Sequence, residues 1–130
     1  MIIEKDIVST VKADTTLNGY INGRIYPNEI VQGNAYPSIA LLTLEQEPLN
    51  AIGGIAQRDF SVLFAVYSED YRECREIGER LIVLFDRKYG VMGDVFVTSC
   101  RYAGESINTR EKESNLYYIG YEFNFLINNH

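Results

Sequence analysis

The spacing of apolar residues changes once within residues 58–86, and this change predicts a strand followed by a helix. Before Tyr67 apolar and other residues alternate, which is the two-residue period of a strand with one buried side. The residues predicted to share its buried side are Phe60, Val62, Phe64 and Val66. After Ser68 the period lengthens to three and four residues, which indicates a helix with one apolar stripe. The predicted stripe consists of Tyr71, Cys74, Ile77, Gly78, Leu81, Ile82 and Phe85.

The residues at this change of period favour the start of a helix. Ser68 offers a side-chain oxygen to the unpaired amides of a first helical turn, and the acids Glu69 and Asp70 suit its positive end. The sequence therefore predicts a helix over about residues 69–86. Gly78 lies on its apolar stripe, where the absence of a side chain predicts a close approach to the sheet.

The same reasoning divides the rest of the chain. Residues 2–12 predict a helix, and a short second helical turn continues to Ile21. Alternating or β-branched segments predict further strands over residues 38–47, 95–102 and 116–127. The resulting order α-β-β-α-β-β predicts an α+β fold, with an antiparallel four-stranded sheet and helices packed on one face.

Residues 103–115, between the last two predicted strands, are charged and show no apolar period. A polar segment of this length exceeds ordinary hairpin loops, so we expect either a long loop or a protruding hairpin arm. Ordering it alone is costly, which predicts that it is mobile in the isolated subunit or held by a neighbour.

Length and charge narrow the class of protein. The 130 residues suit one domain spanning 1–130, and 46% hydrophobic residues indicate a folded chain. Because no long apolar run is present, we expect a soluble protein without a membrane partner. The formal net charge of -6 disfavours a surface that wraps nucleic acid.

No combination of residues predicts catalysis. The one histidine is His130, and the two cysteines, Cys74 and Cys100, fit reduced core positions better than a metal site. The acid pairs Glu45 with Glu47 and Glu111 with Glu113 have the spacing of paired carboxylates on a strand, but they fit solvated strand ends better. We therefore expect no enzyme, no cofactor and no metal.

Three segments together resemble a known family. They are GRIYPN at residues 23–28, YPSIALLTLEQE at 36–47 and the strand-helix unit at 58–86. In this order they resemble the tail terminator, or tail-to-head joining, proteins of long-tailed bacteriophages and prophages. The resemblance covers roughly residues 1–88, and its motifs are short and mostly structural.

The resemblance implies a structural protein without catalytic activity. Such a protein forms a ring, typically a hexamer, that caps the tail tube and meets the head-tail connector or stopper protein. It would assemble in the host bacterial cytoplasm, reside in the virion tail or neck, and bind no specific nucleic acid sequence. Other neck or tail completion proteins share this size and build, so the station along the tail stays open.

In such a ring, residues 103–115 become a hypothetical assembly arm that orders on a neighbouring subunit or the tail tube. The candidate assembly contacts are Glu105, Asn108, Arg110, Glu111, Lys112 and Glu113. Two alternatives remain from the residues alone. One is a small ligand-binding or enzyme subunit of α+β type, and the other is a dimeric protein-interaction module.

Overall fold

A computed structural model of the chain describes residues 3–28, 36–46, 57–112 and 115–129. Within these ranges the helices are α1 (Ile3–Ala13), α2 (Thr15–Ile21) and α3 (Tyr71–Phe85). The strands are β1 (Ile25–Pro27), β2 (Ser38–Glu45), β3 (Gln57–Ser68), β4 (Gly90–Met92), β5 (Val95–Glu111) and β6 (Leu116–Asn129).

The described strands form one six-stranded sheet in the order β1-β2-β3-β6-β5-β4. β1 pairs with β2 in parallel, and every other pair is antiparallel. The predicted four-stranded antiparallel sheet is therefore wrong, because the sheet is mixed, curled and six-stranded. β1 and β4 have three residues each, which is too short for an alternation to show in the sequence.

One face of the sheet packs against the helices and forms the main core. Phe64 of β3 stacks on Phe85 of α3 with ring centroids 5.3 Å apart, and Phe125 of β6 lies 5.7 Å from Phe85. The predicted helix stripe is confirmed at Cys74, Ile77, Gly78, Leu81 and Phe85, which are buried, whereas Tyr71 at its start is 38% exposed. On the other face, Ala40, Ala65 and Tyr67 form a second cluster that contains no helical residue.

α3 approaches the sheet most closely at Gly78. A Cβ atom at this position would lie 1.9 Å from Cζ of Tyr121 on β6. The Tyr121 hydroxyl reaches past the glycine and donates to the Cys74 carbonyl at 3.3 Å. The predicted close approach is confirmed, because no larger residue leaves space for this ring.

A hydroxyl and a carboxylate, the two kinds of capping group that the sequence suggested, both form hydrogen bonds at the start of α3. Asp70 is the N-cap, and its carboxylate accepts from the Arg72 amide at 3.0 Å. The Ser68 hydroxyl accepts from the Asp70 amide at 3.1 Å and donates to Glu73 at 2.7 Å. The helix begins at Tyr71, two residues later than predicted, because Asp70 and not Ser68 satisfies its first turn.

Candidate functional site

The polar segment 103–115 forms the far end of the β5–β6 hairpin. β5 continues through it to Glu111, which pairs with Leu116 at the start of β6. Most of the segment is therefore paired strand rather than loop, and β6 in turn pairs with β3 along the same length. Glu113 lies outside the described residues, whereas Lys112 is exposed at the turn.

Two of the predicted assembly contacts bind α3 of the same chain. Arg75 donates to the Glu105 carboxylate, and it also donates to the Tyr71 hydroxyl at 2.9 Å. Asn108 donates to the same hydroxyl at 3.2 Å. These contacts hold the second half of β5, from residue 103 to Glu111, against the first turns of α3.

The charges in this group change the ionisation of its members. Donation from Asn108, and then from Arg75, favours the phenolate and lowers the pKa of Tyr71 below its ordinary value. The Glu105 carboxylate raises the pKa of Arg75 above its ordinary value. The group is thus a connected polar network on the exposed end of the helix.

The tip of the hairpin is fixed by a second set of contacts. Arg110 lies over the ring of Tyr117, with its guanidinium carbon 5.6 Å from the centroid, and it donates to the Asn115 side chain. The Asn115 amide donates to the Glu111 carbonyl at 2.9 Å, and Asn115 has a left-handed φ of 62°. Asparagine tolerates this conformation better than most residues, which suits it to the tight turn.

The outer edge of β5 is covered only along its first part. β4 pairs with β5 at Val95–Val97. Next to it, the Arg87 amide donates to the Cys100 carbonyl at 2.7 Å and Asp86 accepts from the Tyr102 amide at 3.0 Å. From residue 103 to Glu111, no strand in the described part of the chain pairs with this edge.

An uncovered strand edge can pair with another chain, and β5 carries features that restrict such pairing. Its register with β6 shifts at three places, between Val97 and Ser99, between Tyr102 and Gly104, and between Glu105 and Ile107. Shifts of this kind bend and twist a strand, and charged side chains add repulsion against an arbitrary partner. These features therefore protect the uncovered edge against unspecific pairing.

The sequence reasoning missed the α3 residues that hold this hairpin. The helical period predicts Tyr71 on the apolar stripe and gives no role to Arg75, and the contacts of these two residues with the hairpin join positions 37 and 30 apart in the chain. Local periodicity carries no information about such pairs. The one available signal was the presence of polar groups on both segments.

Metal-ligand clusters and reactive thiols are not found among the described residues. No group of three His, Cys, Asp or Glu residues among them could hold a metal ion. Burial raises the pKa of both Cys74 and Cys100 to about 12, so both remain thiols at neutral pH. None of the described helices has the length and apolar character to cross a membrane.

Comparison with known proteins gives a likeness in fold to a solved structure. No protein-family model and no curated protein sequence matches the chain. Among solved structures, a chain of the structure titled "Virion of native gene transfer agent (GTA) particle" is similar, with a TM-score of 0.76 and 10% identity. The likeness covers 95% of this chain and 92% of that chain.

This chain has the fold of a virion component. At 10% identity the likeness concerns the fold alone, but it extends over both the helices and the β5–β6 hairpin because it covers 95% of the chain.

Proposed function

We propose that the chain is a structural protein of a phage-like particle, and that it serves there as the tail terminator. In this role it forms a ring, a hexamer, that caps the tail tube and joins the tail to the head-tail connector or stopper protein. The observation that carries the proposal is the near full-length likeness to a chain of a gene transfer agent virion.

The assignment to the tail end rests on the three sequence segments named above. Two of them, GRIYPN and YPSIALLTLEQE, meet in the fold at the β1–β2 pair. Arg24 donates to the Pro37 carbonyl at 2.9 Å and accepts from the Ile39 amide at 2.9 Å. The motif is therefore one structural unit built from two separate pieces of chain, which makes the resemblance more specific than either piece alone.

The uncovered edge of β5 supports a role in assembly. A closed ring needs two different contact surfaces on each subunit. The unpaired edge of β5 from residue 103 to Glu111 can serve as one of them, because its free backbone groups can pair with another chain. The candidate contacts Glu105, Asn108 and Arg110 already bind within the subunit, so they would shape this edge for a neighbour rather than reach out alone. Lys112 and Glu111 stand at its exposed end.

The charge of the chain fits a station that DNA passes without binding. A net charge of -6 disfavours adhesion to phosphates, as a ring around a DNA path requires. We place the protein in the host bacterial cytoplasm during assembly and in the virion tail or neck afterwards.

The proposal can be tested by disrupting the gene for this chain in the phage or prophage genome that carries it. Loss of a tail terminator should leave filled heads and tails unjoined, with tails of irregular length, and a plasmid-borne copy should restore whole particles. Tails of normal length that fail to join heads would instead indicate another neck or completion protein. Normal particles from the disrupted strain would show that the proposal is wrong.

A further inference from the structure

A shallow pocket of about 250 Å³ lies beside the loop that follows α3. Arg87 and Lys88 of this loop line it together with Ser99 and Arg101 of β5. Tyr89 also lines it and is 74% exposed. Three cationic residues from two different elements therefore line one small surface.

These three cations have no acidic partner among the described residues. The ion pairs that the structure describes engage Arg58, Arg72, Arg75 and Arg80. The nearby Asp86 uses a carboxylate oxygen to accept from the Tyr102 amide. Asp86 keeps its charge in this hydrogen bond, so three cations stand against one nearby acid. In a chain of net charge -6, this local excess of positive charge is an exception to the general charge balance.

A structural role explains only part of this group. Cations after a helix are favoured by the negative end of its dipole, which accounts for Arg87 and Lys88 at the end of α3. Arg101 comes from β5 and has no such reason to be there. The backbone of Arg87 has a left-handed φ of 65°. Glycine is the usual residue in this conformation after a helix, so the backbone conformation does not explain an arginine here.

The exposed apolar residues beside the pocket indicate a protein rather than a free anion as its occupant. Val91 of β4 is 63% exposed and neighbours Tyr89, whose ring packs edge-on against Phe96 at 5.2 Å. Aromatic and arginine side chains next to one another are typical of the centres of protein interfaces.

The complementary charge lies at the opposite end of α3. Glu69 and Asp70, just before the helix, are exposed. α3 has 15 residues and is thus about 22 Å long, so these acids cannot reach the pocket at the other end within one subunit. Two complementary patches at opposite ends of one helix match the head-to-tail contact of a ring.

We propose that the cationic pocket of one copy binds the acidic N-terminal end of α3 in a second copy of this chain. The proposal rests on the ring of the proposed function and assigns one of its contacts. Arg87, Lys88 and Arg101 would pair with Glu69 and Asp70 of the neighbour, with Tyr89 packing beside them.

A charge exchange on the full chain tests this contact, with oligomeric state measured by analytical ultracentrifugation. Arg101→Glu should weaken self-association about tenfold or more, because it places like charges together. Glu69→Arg alone should do the same, whereas the double variant Arg101→Glu/Glu69→Arg should recover association. Lys5→Glu is the matched control, since it changes net charge equally on the exposed start of α1, where an acid is favourable.

The following outcomes decide the proposal. Recovery in the double variant, together with weaker association at high salt, supports it. It is overturned if the single variants associate like the wild type, if the double variant stays as weak as the singles, or if the wild type itself remains monomeric. Rings that persist in the single variants while particle production fails would assign the pocket to a different protein and leave the proposed function intact.

Discussion

The two halves of β5 belong to one strand, yet they are stabilised in different ways. In the first half, Val95, Val97 and Cys100 are buried in the core beneath the helices. In the second half, every residue from Glu105 to Glu111 is exposed. The second half remains a strand because β6 beside it has buried residues along both halves, from Leu116 to Ile127, and offers backbone partners as far as Leu116. Burial in the core thus stabilises the first half. Backbone pairing with β6, together with polar side-chain contacts, stabilises the second half.

The largest expected loss of stability comes from truncating a core side chain that packs beside the first half of β5. Phe125 pairs with Cys100 and packs against Phe85, so Phe125→Ala should lower the free energy of unfolding by about 3 to 5 kcal/mol. Denaturant unfolding measures this, with Val83→Ala as control, since Val83 is 68% exposed and should change by less than about 0.5 kcal/mol. Similar values for both variants would contradict a first half held by burial.

A backbone change at the junction of the halves should have the next largest effect. Gly104 has a φ of 111°, and an added Cβ would meet no atom within 4 Å, so Gly104→Ala introduces strain without a clash. The expected loss of unfolding free energy is about 1 to 3 kcal/mol. Gly19→Ala is the matched control, because it has equally open space in α2 and ordinary helical backbone, and should stabilise by up to about 1 kcal/mol. Equal stabilisation by both would show that the junction needs no glycine.

The polar contacts of the second half should contribute less. Arg75 and Glu105 are 36% and 30% exposed, so a double-mutant cycle with Arg75→Gln and Glu105→Gln should give a coupling of about 0.2 to 1 kcal/mol. High salt should reduce it. The pair Arg72 and Glu76, at 86% and 42% exposure, serves as the reference and should couple more weakly. A coupling of zero for the first pair would mean that pairing with β6 alone holds the second half.

Tyrosine ionisation distinguishes the two halves without a large change in stability. The pKa of Tyr71, next to the second half, is lowered by Asn108 and Arg75, whereas burial raises the pKa of Tyr102 in the first half. Tyr71 therefore adds stability as pH rises through its folded pKa towards about 10, and Tyr102 loses stability as pH rises above about 10. In an ultraviolet titration, Tyr71→Phe should remove an early-ionising tyrosine and Tyr102→Phe a late one. The reverse assignment would contradict the two environments.

The sequence could predict the parts of the fold in which apolar and polar residues contrast. Alternation identified β2, β3, β6 and the first half of β5, and the longer period identified the buried stripe of α3. The second half of β5 has polar residues on both sides, so its two-residue period is invisible until β6 is seen beside it. For the same reason the sequence leaves open whether the segment is a long loop or a hairpin arm, and the structure shows the paired strands of a hairpin.

The candidate site was only partly accessible to sequence reasoning. Glu105, Asn108 and Arg110 are recognisable in the sequence as polar residues of one segment. Their respective contacts with Arg75, Tyr71 and Tyr117 depend on how α3 and β6 meet the segment. The cationic pocket could not be predicted either, since Arg87 and Arg101 come together only through the contact between the loop after α3 and β5. Separation along the chain hides both groups.

Native mass spectrometry of the purified chain tests the central claim, assembly into a closed ring through the hairpin end, most directly. The wild type should form a hexamer, and a variant that lacks residues 105–113 and closes the hairpin with Asn-Gly should be a folded monomer by circular dichroism. A wild type that stays monomeric at high concentration, or a shortened variant that still forms rings, would contradict the account.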